Sequence, residues 1–261
     1  MPDYCGGVRI AVLADIHGNL PALRAVLSEL DHEPVDAIVV GGDVVGGPLV
    51  RETLDVLAAR PEEMHWVAGN SEREAVAVYN GASPDDSSAG RAAAWSARAI
   101  DERWRDRLAA WPISLELDGT RFCHGSPRRD DEILTRITPD EVLLDALSTT
   151  TEALTVGGHT HQQTVRRLPG SGRTYANAGS VGIPYEGRAG AFWMLVDDGV
   201  PLPRVTDYDL AAAVAELRAS RFPDVEDQLT ESLLEPADPD WVSAFFEHDA
   251  GRGEHPGDPP A

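Results

Sequence analysis

The sequence predicts an α/β fold, with a parallel sheet in its first third and a strand-rich second half. Three observations predict it. Near-continuous apolar runs alternate with amphipathic stretches across residues 8–70, as expected for strands buried on both faces and joined by right-handed helical crossovers. Beyond residue 113 the spacing changes to strand after strand. Several apolar runs also finish in a carboxylate, amide or imidazole beside a glycine, the place where open α/β sheets bind their ligands.

Each element follows from a local signal. VRIAVLAD reads as a buried strand. NLPALRAVLSELD reads as a helix, with Asn19 as cap, Pro21 in the first turn, and Leu23, Val26, Leu27 and Leu30 on one face. DAIVVGGD is a second strand, LVRETLDVLAAR a second helix and MHWVAGN a third strand. SPDDSSAG is a loop, and residues 91–111 form a helical region with Ile100, Trp104, Leu108 and Trp111 at helical spacing. That stripe suits core packing better than a substrate cleft. ISLELDGTRFCHG reads as a hairpin turning at Asp118 and Gly119. ALTVGGHTH, QTVRRL, RTYANAGS and GAFWMLVDD are further strands. A helix spans residues 209–220, and DPDWVSAFFEH forms a last short helix capped by Asp238 with Pro239 in its first turn. Residues 1–247 are expected to form one domain and residues 248–261 a disordered tail.

Composition narrows the function. The 261 residues carry a net charge of −22, and all 22 basic residues are arginine. Such a chain is repelled by nucleic-acid backbones and anionic membranes. It remains open to a small anionic substrate, because bound cations reverse the potential locally. The start, MPDYCGGVR, lacks the pattern of a signal peptide, and no apolar run reaches bilayer-spanning length. Cys5 and Cys123 lie outside any CxxC pair, so neither a redox motif nor a zinc ribbon is expected. The expectation is a cytoplasmic protein.

The strand ends carry the chemistry. Asp15 and His17 follow the first strand, Asp43 the second and Asn70 the third; His124 and then His159 and His161 follow two later ones. At a strand end, groups two residues apart point the same way. Seven O and N donors are too many for one ion that must also meet substrate. They suit two ions sharing a carboxylate, and Asp43 is the natural bridge.

The ordered set D-x-H, GD, GN, H and G-H-x-H resembles the calcineurin-like metallophosphoesterase superfamily, across residue 9 to about residue 220; NAGSVGIP is similar to a segment of its small bacterial cytosolic branch. The resemblance implies a four-layer αββα sandwich of two mixed sheets flanked by helices. It also implies two divalent or trivalent ions of the manganese, iron or zinc type. Asp15, His17 and His161 would hold the first, Asn70, His124 and His159 the second, and Asp43 both. Of these, Asp43, Asn70 and His124 are the expected catalytic residues. The implied activity is hydrolysis of small phosphate esters by a metal-activated water, tilted toward phosphodiesters. A phosphomonoesterase, a protein phosphatase and a non-catalytic binding scaffold of the same fold are the alternatives. Oligomerisation rests on analogy alone.

One position departs from the family pattern. Many members read GNH followed by D or E, whereas here the run is Asn70, Ser71, Glu72. Serine cannot supply the acidity of an imidazolium. The implied consequence is a preference for good leaving groups, or a proton delivered by another group or a water.

Other residues are weighed individually. Arg128 and Arg129 either clamp a phosphate or pair with Asp130, Asp131 and Glu132. Gln162 and Tyr185 are candidate substrate contacts. Gly18 and Asn19 either offer donors near the phosphate or shape the helix start, and capping is the stronger reading for Asn19. Ser71 suits a helix N-terminus, Cys123 a buried inert position, and His65 has no assigned role.

Overall fold

The computed structural model describes residues 7–60 and 64–260; Cys5 and the first residues of the chain lie outside them. Sheet A has the order β10-β9-β1-β2-β3: β1 (Arg9–Leu13), β2 (Ala37–Gly41) and β3 (Met64–Val67) are parallel, while β9 (Ala191–Asp197) pairs antiparallel with both β1 and β10 (Val200–Thr206). Sheet B has the order β4-β5-β6-β8-β7, built from β4 (Ser114–Leu117), β5 (Thr120–Cys123), β6 (Leu154–Gly157), β7 (Thr164–Leu168) and β8 (Arg173–Asn177). β5, β6 and β8 are parallel in it. Both sheets are mixed, as expected.

The alternation of side chains along β1 builds the layers. Ile10, Val12 and Ala14 pack with Phe122, Val156 and Ala176 between the two sheets. Ala11 and Leu13 face the other way, into a core with Leu23, Val26 and Leu27 of α1 (Leu20–Leu30) and Leu54 and Leu57 of α2 (Val50–Ala58). The far side of sheet B buries Tyr175 and Leu168 against Leu143, Ala146 and Leu147 around α6, a helix spanning Asp140–Ala146. Helix, sheet, sheet and helix therefore stack in four layers, each filling the next with apolar side chains.

Local signals act largely as read. Asn19 accepts a hydrogen bond from the Ala22 N–H at 3.2 Å and so caps α1. The β4–β5 hairpin turns at Asp118 (φ 50°) and Gly119 (φ 69°), the backbone that a two-residue hairpin requires. The helical region 91–111 divides, however. After α3 (Asn70–Tyr79), α4 spans Ser88–Ala99 and α5 spans Glu102–Ala110. Ile100 is extended between α4 and α5, and the Asp101 carboxylate recaps the chain by accepting from the Trp104 N–H at 2.9 Å. Ile100, Trp104 and Leu108 are buried in the core, as the packing reading held. β10 was not anticipated, because Pro201 and Pro203 break the strand pattern. A sheet edge tolerates them, since one flank of the strand needs no N–H donor.

α7 (Leu210–Ala219), α8 (Val225–Leu229), a π turn over Thr230–Leu234 and α9 (Pro239–Asp249) complete the chain's helices. Asp238 caps α9 through the Asp240 and Trp241 N–H groups. Beyond α9, Arg252 bonds to Glu247 and to the Ile133 carbonyl. Among the described residues no helix is long and apolar enough to cross a membrane.

Candidate metal centre

The seven candidate ligands sit just past the carboxyl ends of β1, β2, β3, β5 and β6. Three links between the sheets hold these ends together. The His124 Nδ1–H donates to the Gly41 carbonyl at 2.8 Å, and the Val181 and Gly182 N–H groups donate to the carbonyls of Ala14 and Asp15, each at 3.0 Å.

The side chains are aimed differently from the sequence expectation. β1 ends at Leu13, so Asp15 and His17 do not alternate along a strand. Left-handed kinks aim them instead. Eight non-glycine residues among those described have positive φ, and five are candidate ligands: Asp15 (54°), His17 (45°), Asp43 (50°), His159 (68°) and His161 (56°). Each such residue costs about 1–2 kcal/mol, and strain of this kind persists where surrounding structure enforces it, typically at functional sites. Gly42 and Gly69 let the backbones meet. A Cβ on Gly42 would lie 2.6 Å from His124 Nδ1, and one on Gly69 2.1 Å from Asp43 Oδ1.

The side chains form two adjoining trios, Asp15 with His17 and His161, and Asp43 with His124 and His159. In the first, His161 Nε2 lies 3.2 Å from Asp15 Oδ1 and 3.2 Å from His17 Nε2. In the second, His124 Nε2 lies 3.4 Å from Asp43 Oδ2. The trios touch: Asp43 Oδ2 is 3.6 Å from His17 Nε2, and Asp15 Oδ1 is 3.7 Å from His124 Nε2. The seventh group, Asn70, begins α3, and its amide Nδ2 points to Glu74 Oε1 at 3.5 Å.

These donors fit a pair of cations. Asn70 Oδ1 and His124 Nε2 are buried without a hydrogen-bond partner, which is costly for a polar atom unless something else meets it. His124 and His161 donate their Nδ1–H groups to backbone carbonyls, His161 to Ile183 at 2.7 Å, which turns each Nε2 inward. Burial alone would raise the two carboxylates, yet the neighbouring imidazoles hold Asp15 and Asp43 below the ordinary range. His124, lowered by burial but facing both carboxylates, is pushed up to about 10. Burial and the charge of His124 push His159 down to about 4, and burial lowers His17. Two buried anions thus demand positive charge, which His124 supplies in part, while His17 and His159 are held toward the neutral form that a cation requires of nitrogen ligands.

Glu72 carries more of the site than its sequence position suggested. It is buried, and its carboxylate accepts from the N–H groups of Asp43, Val44 and Gly69, each at 2.8 Å, and of Val45 at 3.2 Å. It clamps the turns that carry Asp43 and Asn70. Burial, then the Asp43 charge, push it up to about 7. The Ser71 N–H adds a 2.8 Å bond to Asp43 Oδ1 at the helix start.

The site opens into a cavity of about 390 Å³, whose walls include Ser71, Glu74, Arg91, Tyr185, Phe222, Asp227, Gln228 and Glu231. Tyr185 lines it and stacks on His161, with ring centroids 5.1 Å apart and planes inclined by 15°. The other weighed residues resolve toward structure. Arg128 pairs with Glu132 and Asp145, and Arg129 with Asp131. Gln162 turns away from the cavity to the Tyr185 and Pro239 carbonyls. Gly18 packs against Gly47, Pro48 and Leu49. Burial pushes the Cys123 thiol up to about 12, as befits an inert position.

Residues 8–198 match the sequence model of the calcineurin-like phosphoesterase superfamily domain. The chain belongs to this family. The family consists of metal-dependent phosphoesterases, which are hydrolases. An uncharacterized protein of Methanocaldococcus jannaschii is 27% identical over 241 residues, covering 82% of this chain and 94% of its own. The crystal structure of a metallophosphoesterase from Sphaerobacter thermophilus superposes with a TM-score of 0.70 at 25% identity, covering 86% of this chain and 97% of that one. A hypothetical protein from Pyrococcus horikoshii shares the fold, with a TM-score of 0.75 at 18% identity over 88% of this chain and 99% of that one.

Proposed function

We propose that this phosphoesterase uses two metal ions of the manganese, iron or zinc type, with a preference for small phosphodiesters. Asp15, His17 and His161 hold one ion, Asn70, His124 and His159 the other, and Asp43 serves both. The observation that carries this reading is the pair of adjoining trios joined by Asp43, together with the buried, unpartnered Asn70 Oδ1 and His124 Nε2. When bound, such ions supply charge that stabilises a phosphoryl transition state and acidity that makes water a nucleophile near neutral pH.

The protein supplies placement. Glu72 fixes the Asp43 backbone by accepting its N–H, the Ser71 N–H donates to the Asp43 carboxylate, and the His159 N–H donates to Asp15 Oδ2 at 3.0 Å. Because these donors are set before substrate arrives, no reorganisation is needed during reaction. Ser71 lines the cavity where many relatives carry histidine, so no imidazolium stands at that position to protonate the leaving group. This favours esters with acidic leaving groups.

Charge supports the diester preference. The arginine lining the cavity, Arg91, is engaged by both Asp224 oxygens at 3.0 Å. Glu74, Asp227 and Glu231 share the lining. A monoester dianion meets stronger repulsion from these carboxylates than a diester monoanion does. On the same reading, residues 1–247 work as one metallophosphoesterase domain, in the cytoplasm.

The test is metal analysis of purified protein with parallel p-nitrophenyl phosphate and bis-p-nitrophenyl phosphate assays. Turnover that needs metal and is faster on the bis ester is expected. Protein that takes up no metal and cleaves neither ester would favour the scaffold reading instead. A faster rate on the mono ester would reverse the substrate preference.

A further inference from the structure

We infer that α9 is a positioning strut for His161, acting through Gln162 and Ser243. The inference rests on the metal-centre reading above. Gln162 follows His161 and is 1% exposed, as is Ser243. The Gln162 amide donates to the Tyr185 carbonyl at 3.1 Å and to the Pro239 carbonyl at 2.7 Å. Its Oε1 accepts from the Ser243 hydroxyl at 2.7 Å. One buried amide thus ties the start of α9 to the segment carrying Tyr185.

That segment grips His161 in three ways. The Tyr185 N–H donates to the His161 carbonyl at 3.2 Å, the Ile183 carbonyl accepts the His161 Nδ1–H at 2.7 Å, and the Tyr185 ring stacks on the imidazole. The Phe246 ring of α9 backs Tyr185 at 6.2 Å. Polar and aromatic threads therefore run from α9 to the same ring. The Asp43, His124 and His159 trio is anchored elsewhere, His124 by the Gly41 carbonyl and Asp43 by Glu72 and Ser71. The strut also lies beyond residues 8–198, the span of the common family domain. Groups that orient a metal ligand typically change metal affinity by about 10–100-fold when removed. The effect here should fall on one ion of the two.

The experiment titrates Mn²⁺, and in parallel Zn²⁺ and Fe²⁺, calorimetrically into metal-free full-length protein, comparing wild type with Ser243→Ala, Gln162→Leu and Ser243→Thr. Wild type is expected to show two sites. In Ser243→Ala and Gln162→Leu one site should weaken by about tenfold while the other holds its affinity, and Ser243→Thr, which keeps the hydroxyl, should restore both. If Gln162→Leu fails to fold, the two Ser243 variants decide the matter. Unchanged affinities with only a lowered Tm, or equal weakening at both sites, would overturn the strut. A wild type that binds no Mn²⁺, Zn²⁺ or Fe²⁺ would instead overturn the metal reading beneath it.

Discussion

The floor and the wall of the cavity are built on opposite principles. The floor comes from strand ends within residues 15–161 and is buried, kinked and densely bonded: five left-handed ligands, and a glutamate that accepts four backbone N–H groups. Part of the wall comes from residues 222–231, where exposed or half-buried acidic residues stand on short helical turns. Strain and preorganisation are concentrated where charge must be placed to within fractions of an ångström. Where a substrate only has to be admitted or repelled, long-range charge suffices and geometry is loose. Substitutions in the floor should therefore act steeply and locally, and those in the wall weakly and with salt dependence.

The steepest break is Asp43→Ala. On the proposed two-ion reading one carboxylate serves both ions, so turnover should vanish and metal content fall at both positions, as assayed on bis-p-nitrophenyl phosphate and by elemental analysis. Near-normal activity would refute the shared role. Glu72→Gln comes next. Its amide can present only one acceptor oxygen, so N–H groups of either Asp43 and Gly69 or Val44 and Val45 lose their partner, at about 1–3 kcal/mol each. For a chain this size, Tm should fall by about 2–4 °C per kcal/mol, and thermal melts should show activity and stability lost together.

Ser71→His sharpens the comparison by adding to the floor what many relatives carry there. A well-placed imidazolium contributes on the order of 10²-fold or more, so the rate on alkyl esters should rise while that on nitrophenyl esters changes little. An unaltered ratio would mean that protonation is handled elsewhere. The wall is tested by Asp227→Asn with Glu231→Gln. Monoester turnover should rise a few-fold relative to diester turnover, and the difference should shrink as salt screens it; identical ratios at low and high salt would remove the charge argument.

The smallest expected effect is a pH dependence at the far end of α9. Burial raises Glu247, but hydrogen bonds from Arg252, Thr138 and Thr135 outweigh it and hold the carboxyl below its ordinary value. A depressed folded value means stability present above the unfolded glutamate value and lost as pH falls through the folded one. Melts in mildly acidic buffers should therefore show a shallower decline for Glu247→Gln than for wild type.

Much of the floor was legible because its signals are local. Aliphatic runs ending in Asp15, Asp43, Asn70, His124 and the His159–His161 pair announce strand ends, and Asn19, Asp209 and Asp238 announce helix starts. The wall was not legible, since half-exposed acids on short helices look like any solvated surface. Gln162 was misread for a related reason: its place beside His161 suggested the substrate side, but a left-handed kink at His161 accompanies its turn toward α9.

The sequence by itself determined the order of βα units, the caps and the hairpin turn, and it singled out the seven candidate ligands, because apolar period and residue chemistry act over a few neighbouring positions. Only the tertiary structure decided that left-handed kinks aim five of those side chains, that Glu72 holds the turns beneath them, and that Tyr185 and α9 stand behind His161. Those are contacts between segments from 20 to more than 100 residues apart, and no local pattern encodes which backbone kink will aim which side chain across the gap between two sheets.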